Sequence, residues 1–321
     1  MKHVILAAGL AIGTASGAVA DTWDMPTPYG DATFHTQNIT QFAADVAAAT
    51  DGALEITVHS GGSLFPHGEI RNVVRSGQVP AGEFFLSRLV NDDAAFGIDS
   101  QPFVATSYED AAKLWDAQRP VVAELLAEQG LQPLFSVPWP AQGLYTNGEI
   151  ETVEGLSGLR FRAYNAALEE FAALAGAAPV QVEAPDIPQA FATGQVEAMV
   201  TSPSTGANST AWDFVTHYTP INAWVPKNIV VVNERAFSRL PDEVQSAVLE
   251  AAAAAEARGW ELSAAEADAK TAIMADNGMI IVEPSAELTA GLQEIGAQML
   301  ANWEAEASDA ALSILTTYQE Q

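Results

Sequence analysis

The feature that most constrains the fold is a repeated alternation of strand-like and helix-like segments. Residues 53–59 alternate apolar and polar side chains, which is typical of a half-buried strand. The preceding segment spaces its apolar residues as a helix does and ends before Gly52. Similar patterns predict strands at 22–27, 53–59, 79–86, 131–137, 144–147, 159–163, 180–183, 196–201, 230–233 and 280–283. Repeated strand–helix units predict an α/β fold with parallel sheets.

One helical pattern is much longer than the others. Residues 241–277 contain no proline after Pro241 and only one glycine, Gly259. A helix in a globular protein averages about 11–12 residues, so this segment is long enough to run along two domains. Two helices separated at Gly259 are the alternative. The chain length also indicates two domains, at about 100–200 residues per domain.

The first twenty residues have the pattern of a secretory signal. A short basic start at Lys2 and His3 is followed by an apolar run, and small residues lead to Ala18-Val-Ala20. We expect a signal peptide cleaved after Ala20, because the apolar run is too short to span a bilayer. Cleavage leaves 301 residues, which we expect to be soluble in the periplasm.

Charge and cysteine content exclude several classes of function. After the predicted signal the chain has 12 lysines and arginines and 41 acidic residues, which gives a net charge of −29. Such a protein repels nucleic acid and anionic membrane surfaces, and no later segment is apolar enough to insert into a membrane. The chain has no cysteine, so disulfides and thiolate metal sites are excluded.

Motifs for catalysis and for cofactor binding are absent. The sequence has no glycine-rich nucleotide-binding motif, no nucleophile elbow and no paired histidines spaced to ligate a metal. We therefore expect no catalytic residues, no metal and no cofactor. A secreted α/β lyase or hydrolase stays open as an alternative.

Two arginines lie in a strand-like segment, 155–165. Arg160 and Arg162 share one face of the predicted strand, because side chains alternate along it. An arginine fork can bind a carboxylate through two parallel hydrogen bonds. The strand runs into a helix near Asn165, and α/β folds place ligands at such strand ends.

This segment resembles the solute-binding proteins of TRAP (tripartite ATP-independent periplasmic) transporters. Gly155-Leu-Ser-Gly-Leu-Arg-Phe-Arg162 matches their pattern, and the matching arginine is Arg162. Weaker similarities follow in the same order along the chain, at 51–60, 185–198 and 233–241. Together they cover nearly all of the chain after Ala20.

The resemblance implies a two-lobed periplasmic binding protein. Its cleft would lie between the lobes, and the long helix would span both. We expect lobe I at 21–143 plus 231–270 and lobe II at 144–230 plus 271–321. Arg162 would bind the carboxylate of a small organic acid, and the lobes would close around it. The expected partners are the membrane permease subunits of the transporter, driven by an ion gradient, and the receptor itself is expected to be a monomer.

Departures from the relatives narrow the expected ligand. Gln142 stands where sialic-acid-binding relatives have an arginine, so sialic acid is disfavoured. The asparagine that often touches the carboxylate is missing, and Thr201, Ser202 or Ser204 is expected to replace it. Ala184 stands where an aromatic is common, which leaves room for a bulkier ligand.

The candidate ligand-binding residues surround this arginine with aromatic and polar side chains. They are Arg162, Tyr29, Phe34, Phe85, Arg88, Trp139, Tyr145, Tyr164, Ser202, Trp224 and Asn228. One cation with apolar walls favours an aromatic or apolar monocarboxylate. An aliphatic hydroxy, keto or sugar acid is the alternative ligand, and a binding protein serving a sensor kinase is an alternative role.

Overall fold

The computed structural model describes residues 21–321, so the predicted signal peptide lies outside the described residues. The strands are β1 Asp21–Pro26, β2 Leu54–His59, β3 Ala81–Phe85, β4 Leu131–Pro138, β5 Gly143–Thr146, β6 Arg160–Ala163, β7 Ala178–Gln181, β8 Ala198–Thr201, β9 His217–Thr219, β10 Lys227–Asn233 and β11 Ile280–Ile281. The helices are α1 Phe34–Ala49, α2 His67–Arg75, α3 Tyr108–Ala127, α4 Ala166–Leu174, α5 Ile187–Ala192, α6 Pro203–Asn208, α7 Glu234–Phe237, α8 Asp242–Asp276, α9 Ala286–Glu306 and α10 Asp309–Gln319. The predicted α/β class is confirmed.

The strands form two separate sheet systems, which define a first and a second lobe. In the first lobe β1 pairs with β2, and β10 lies between β3 and β4. The second lobe has one six-stranded sheet in the order β11-β9-β5-β8-β6-β7. Only part of the predicted parallel arrangement is found. β10 is antiparallel to both of its neighbours, because it carries the chain back from the second lobe, and β5 is antiparallel to β8 and β9.

Two short chain segments connect the lobes and bond to each other. The segment after β4 leads to the second lobe, and the segment before β10 returns. The backbone N–H of Trp139 donates to the carbonyl of Pro226 at 2.8 Å, and that of Gln142 donates to the carbonyl of Trp224 at 3.0 Å. These bonds couple the two crossings at the base of the cleft.

Helix α8 is one continuous helix of 35 residues. At about 1.5 Å per residue it is roughly 50 Å long. It packs on α1 and β4 of the first lobe and on α6 of the second. The predicted helix spanning both lobes is therefore confirmed, and the alternative of a break at Gly259 is wrong.

Gly259 has a packing role in this helix. The residue is buried, and a Cβ atom placed on it would overlap the side chain of Val137 and lie 2.8 Å from Nδ2 of Asn38. The glycine therefore lets α8 approach β4 and α1 closely. This explains why a residue of low helix propensity occurs within a continuous helix.

Each lobe has its own apolar core. Trp23, Phe42 and Val230 belong to a buried cluster in the first lobe, and Phe161 and Phe171 to one in the second. Helix α9 packs on α4, whereas α10 packs on α3. The predicted lobe boundaries stay a prediction. Within residues 21–321 no helix is both long enough and apolar enough to cross a bilayer.

Replacing Gly259 by alanine is expected to destabilise the protein. Helix propensity alone would favour alanine by about 1 kcal/mol. Overpacking against Val137 and Asn38 costs typically about 1–3 kcal/mol, so we expect the free energy of unfolding in urea to fall. Ala264→Gly, on an exposed position of α8, is the propensity control and should cost about 1 kcal/mol. A Gly259→Ala protein more stable than wild type would contradict the close approach.

Candidate ligand-binding site

A cavity lies between the two lobes. Five of its twelve lining residues end a strand or directly follow one, the position in which α/β folds often place ligands. The lining residues are Tyr29, His67, Phe85 and Trp139 from the first lobe, and Gln142, Arg162, Tyr164, Glu183, Ala184, Thr201, Ser202 and Thr205 from the crossing segment and the second lobe.

Arg162 is the only cation among these residues that is both buried and free of a carboxylate partner. Eight of the twelve lysines and arginines in residues 21–321 have a carboxylate oxygen within 4.0 Å. The others are Arg75, Arg162, Arg235 and Arg239, and only Arg162 is buried, with 3% of its surface exposed. Burying a cation without an opposite charge costs free energy, so Arg162 is a candidate to bind an external anion.

The Arg162 guanidinium is held without being neutralised. Its Nε donates to the carbonyl of Val182 at 2.9 Å, and its central carbon lies 4.9 Å from the ring centroid of Tyr164. Burial lowers the pKa of Arg162 to about 10, and Tyr164 and Glu183 oppose that shift. The group therefore stays charged at neutral pH. Its two terminal nitrogens donate to no other group in residues 21–321, which leaves the fork available for a carboxylate.

Two aromatic pairs form the apolar walls. The rings of Tyr29 and Trp139 meet edge to face with centroids 4.9 Å apart, and those of Phe85 and Tyr164 meet edge to face at 5.3 Å. Such pairs are favourable beyond the area that they bury, so the walls are preformed surfaces. The Tyr164 hydroxyl donates to Oε1 of Gln142 at 3.1 Å.

Glu183 connects the two lobes at one side of the cavity. It follows β7 in the second lobe and accepts hydrogen bonds from Nδ1 of His67 at 3.2 Å and from Nη1 of Arg88 at 2.9 Å, both in the first lobe. Burial alone would raise the pKa of Glu183. These two partners, together with the charge of Arg162, outweigh burial and lower the pKa to about 2. Glu183 is therefore ionised at neutral pH.

The tautomer of His67 follows from its two partners. The backbone N–H of Phe85 donates to Nε2 of His67 at 3.1 Å, so this nitrogen carries no proton. Nδ1 must then carry the proton that is donated to Glu183. Burial lowers the pKa of His67, which agrees with a neutral ring. One charged pair, Arg88 with Glu183, joins the lobes beside the cavity, and the lining itself contains one buried free cation, Arg162.

Hydroxyl groups line the side of the cavity formed by the end of β8 and the start of α6. Thr201 ends the strand, and Ser202 caps the helix by accepting from the backbone N–H of Thr205 at 3.1 Å. The Ser202 hydroxyl also donates to Oγ1 of Thr205 at 3.2 Å. Hydroxyl groups can both donate and accept, so this side suits a ligand with both kinds of polar group.

Ala184 lies where the cavity continues into a second space. A groove shares Tyr29, Trp139, Ala184 and Thr205 with the cavity. A large side chain at position 184 would narrow this connection. The sequence-based expectation of extra room at Ala184 stays a prediction about ligand size.

Six of the eleven candidate residues line the cavity: Tyr29, Phe85, Trp139, Arg162, Tyr164 and Ser202. Four others support this lining from behind. Phe34 packs edge to face on Trp139 with centroids 5.6 Å apart, and the Tyr145 hydroxyl donates to the carbonyl of Ser202. Nε1 of Trp224 donates to the Tyr164 hydroxyl at 3.2 Å. Asn228 accepts from Tyr29 and Trp139.

The remaining candidate, Arg88, is engaged by Glu183 and by the backbone carbonyl of Tyr164 at 3.3 Å and does not line the cavity. Arg160 is also separate from the site. It is exposed and pairs with Glu197 at 3.0 Å within the second lobe.

The sequence-based candidates did not include His67, Gln142, Glu183 and Thr205. Gln142 was noted only as a departure from relatives. A signal for Glu183 was its place just after a predicted strand, but nothing local distinguishes it from the 40 other acidic residues. His67 and Glu183 are 116 residues apart, so their contact exists only after the lobes meet.

A buried hydrogen-bond network lies behind the wall formed by Tyr29 and Trp139. Oδ1 of Asn228 accepts from the Tyr29 hydroxyl at 3.2 Å and from Nε1 of Trp139 at 2.9 Å. Nδ2 of Asn228 donates to Oε1 of Glu83 at 3.0 Å, and the Thr27 hydroxyl donates to Oε2 at 2.6 Å. Burial raises the pKa of Glu83 to about 7, against the effect of both hydrogen bonds.

No cluster of side chains in residues 21–321 is suited to hold a metal ion.

The family follows from a comparison with known proteins. Residues 28–306 match the model of the bacterial extracellular solute-binding proteins, family 7. The chain belongs to this family. A curated solute-binding protein of Albidiferax ferrireducens is 28% identical over 173 residues, which are 53% of this chain and only half of that protein. One of Chromohalobacter salexigens is 23% identical over 78% of this chain and 77% of that protein.

Solved structures of three similar proteins have TM-scores of 0.92 to this fold. Two are Bordetella pertussis extracytoplasmic solute receptors binding pyroglutamic acid, 44% and 38% identical; each comparison covers 94% of this chain and 100% of the receptor. The third is a marine metagenome TRAP solute-binding protein specific for pyroglutamate, 40% identical over 94% of this chain and 99% of that protein. The resemblance to TRAP receptors and the two-lobed fold are confirmed.

The raised pKa of Glu83 predicts a pH-dependent stability. The ordinary value of 4.5 applies to the unfolded chain, whereas the folded value is about 7. The folded protein therefore binds more protons between these values, and its free energy of unfolding falls as the pH rises through that range. Glu83→Gln removes this loss, so from pH 5 to pH 8 the variant should gain about 2 kcal/mol relative to wild type. The measurement is urea unfolding of both proteins across this range. The outcome against this prediction is a constant stability difference.

Proposed function

We propose that this TRAP receptor captures pyroglutamate or a closely similar cyclic monocarboxylate. The observation that carries the proposal is Arg162, a buried and unpaired cation in a compact cavity with aromatic walls. Three relatives that are 38–44% identical bind pyroglutamate, which supports the proposal. Pyroglutamate is a small organic acid with one carboxylate, but its ring is a polar lactam, so it differs from the aromatic or apolar monocarboxylate that the sequence favoured.

The chemistry of pyroglutamate matches the lining group by group. Its single carboxylate would pair with the Arg162 fork through two charge-assisted hydrogen bonds. Its small ring would pack between the pair Tyr29–Trp139 and the pair Phe85–Tyr164. The lactam N–H and C=O would meet hydroxyl groups of the β8–α6 side. A dicarboxylate would need a second free cation, and Arg88 is engaged by Glu183.

Closure of the lobes would follow from ligand bridging. A ligand shifts the balance between open and closed forms only through its preference for one of them. Arg162 belongs to the second lobe and the wall of Tyr29 and Trp139 to the first, so a ligand between them favours the closed form. The membrane permease subunits would recognise this form. We place the receptor in the periplasm after cleavage at Ala20, with no catalytic role.

Arg162→Ala is expected to weaken ligand binding by more than about a hundredfold. Removing one member of a desolvated charge pair costs roughly 3–5 kcal/mol, and each 1.4 kcal/mol is a factor of ten. Arg160→Ala is the matched control, because Arg160 is two residues away on the same strand face but exposed and paired with Glu197. Calorimetry with pyroglutamate should show little change in the control. Unchanged affinity in Arg162→Ala would reject Arg162 as the anchor.

A thermal-shift screen tests the ligand itself. A ligand that binds only the folded protein raises the melting temperature, by more when it binds more tightly. Pyroglutamate should give the largest rise, benzoate-like acids a smaller one, and succinate, malate and glucuronate little or none. If an aliphatic hydroxy, keto or sugar acid gives the largest rise instead, the ligand assignment fails while the receptor class stands.

Glu183→Gln is expected to loosen the closed form. The substitution removes the charge that pairs with Arg88 across the lobes, and a partly exposed pair contributes about 0–1 kcal/mol. We expect an increase of up to about fivefold in the ligand dissociation rate in stopped-flow measurements. Glu197→Gln is the matched control, since Glu197 is similarly exposed and pairs with Arg160 inside one lobe. Equal dissociation rates in both variants would show that the Glu183 pair does not hold the lobes.

A further inference from the structure

Glu83 is a buried acidic residue outside the cavity. It lies in the middle of β3 with 1% of its surface exposed, opposite Val230 of β10. No lysine, arginine or histidine in residues 21–321 pairs with it. Its partners are the Thr27 hydroxyl and the side-chain amide of Asn228. A buried carboxyl group with only neutral partners costs stability, so it calls for a reason other than packing.

The orientation of Asn228 depends on Glu83. Nε1 of Trp139 is a donor only, so the amide oxygen of Asn228 must face the indole. The amide nitrogen must then face the other side, where it donates to Oε1 of Glu83. Glu83 therefore has to supply an acceptor. With the amide turned round, two donors would face each other at Trp139.

The same network reaches the second ring of the wall. The Tyr29 hydroxyl donates to the oxygen of Asn228 that accepts from Trp139. Thr27, which donates to Glu83, also accepts a long bond of 3.4 Å from the backbone N–H of Tyr29. Both rings line the cavity, and neither touches Glu83 through its own hydrogen bonds. Glu83 thus reaches the wall through two intermediate residues.

We propose that Glu83 is a positioning residue for ligand binding, which fixes the amide of Asn228 and through it the rings of Tyr29 and Trp139. The inference rests on the proposed function, because it assumes that this wall packs against a small acid. Loss of the acceptor leaves the amide N–H of Asn228 buried without a partner. The amide of Asn228 can then lower its free energy by rotating to another acceptor, and the rings of Tyr29 and Trp139, which bond to it, shift as well.

Two substitutions of Glu83 separate positioning from packing. Glu83→Gln keeps an acceptor for Asn228, and its own N–H can donate to Thr27, so affinity for pyroglutamate should stay within about twofold. Glu83→Leu keeps similar bulk but has no acceptor, and affinity should fall about five- to tenfold, as expected for one or two lost hydrogen bonds. Calorimetry is done well below the melting temperature of each variant. Wild-type affinity in Glu83→Leu would overturn the proposal.

An isosteric exchange tests the network if Glu83→Leu does not fold. In Asn228→Asp two buried carboxyl groups face each other, and burial and like charge raise the pKa of the pair, so they share one proton at neutral pH. Affinity should therefore stay near that of wild type at pH 6 and fall as the pH rises and that proton is lost. Adding Glu83→Gln supplies a donor that does not titrate. Its amide N–H donates to one carboxylate oxygen of the substituted residue 228, and the other oxygen still accepts from Tyr29 and Trp139. The double variant should bind within about threefold of wild type. If Asn228→Asp and the double variant respond identically to a rise from pH 6 to pH 9, the proposal is overturned.

The indole N–H resonance of Trp139 gives a readout without ligand. Trp139→Phe assigns it in the nitrogen–proton spectrum of the full chain. We expect wild type and Glu83→Gln to share its position and slow solvent exchange, and Glu83→Leu to shift it and speed exchange. An unchanged resonance in a folded Glu83→Leu would count against positioning. If wild type does not bind pyroglutamate but Glu83→Leu changes the Trp139 resonance as expected, the ligand assignment fails and the hydrogen-bond network stands.

Discussion

The site depends on one unneutralised charge. Arg162 is buried, yet its contacts are a carbonyl oxygen and the face of an aromatic ring rather than a carboxylate. Burying a cation costs free energy, and burial lowers the pKa of this arginine for that reason. The Val182 carbonyl and the Tyr164 ring offset part of the cost. A bound carboxylate would offset more, which is why an unpaired arginine makes a strong anion site.

The acidic composition sharpens this arrangement. Eight of twelve lysines and arginines are paired with carboxylates, so free cations are scarce. Arg88 is close to the cavity but engaged by Glu183, so one cation is left facing the cavity. That leaves charge for one carboxylate. The Arg88–Glu183 pair joins the two lobes beside the site. Glu183 therefore has two effects: it neutralises Arg88, which could otherwise attract a second carboxylate, and it links the lobes.

The walls of the site are held from behind by polar groups. Tyr29 and Trp139 offer apolar faces to the cavity while their hydroxyl and N–H groups bond to Asn228. Aromatic residues with one polar atom can be fixed in this way without loss of apolar surface. The support ends at Glu83, whose raised pKa reflects the cost of burying it. Burying Glu83 thus lowers the stability of the fold, while its hydrogen bond to Asn228 helps to order the rings of Tyr29 and Trp139.

The sequence by itself determined the class of fold and the long helix, because each is encoded locally, by the alternation in 53–59 and by an unbroken pattern in 241–277. The family and the candidate Arg162 came from the resemblance of 155–162 to TRAP receptors, since the strand pattern alone puts Arg160 and Arg162 on one face. Sequence also placed aromatic residues near strand ends. It did not determine which of them line the cavity or lie behind it, since Tyr145 and Tyr164 have similar local patterns.

Tertiary structure alone decided the pairings that set charge and orientation. Glu183 meets His67 and Arg88 from 116 and 95 residues away, and Asn228 meets Glu83 from 145. Strand direction was also a tertiary outcome, because β10 returns from the second lobe between β3 and β4 and runs opposite to both. Such contacts depend on how two lobes and two crossings pack, and local side-chain patterns carry no information about that packing.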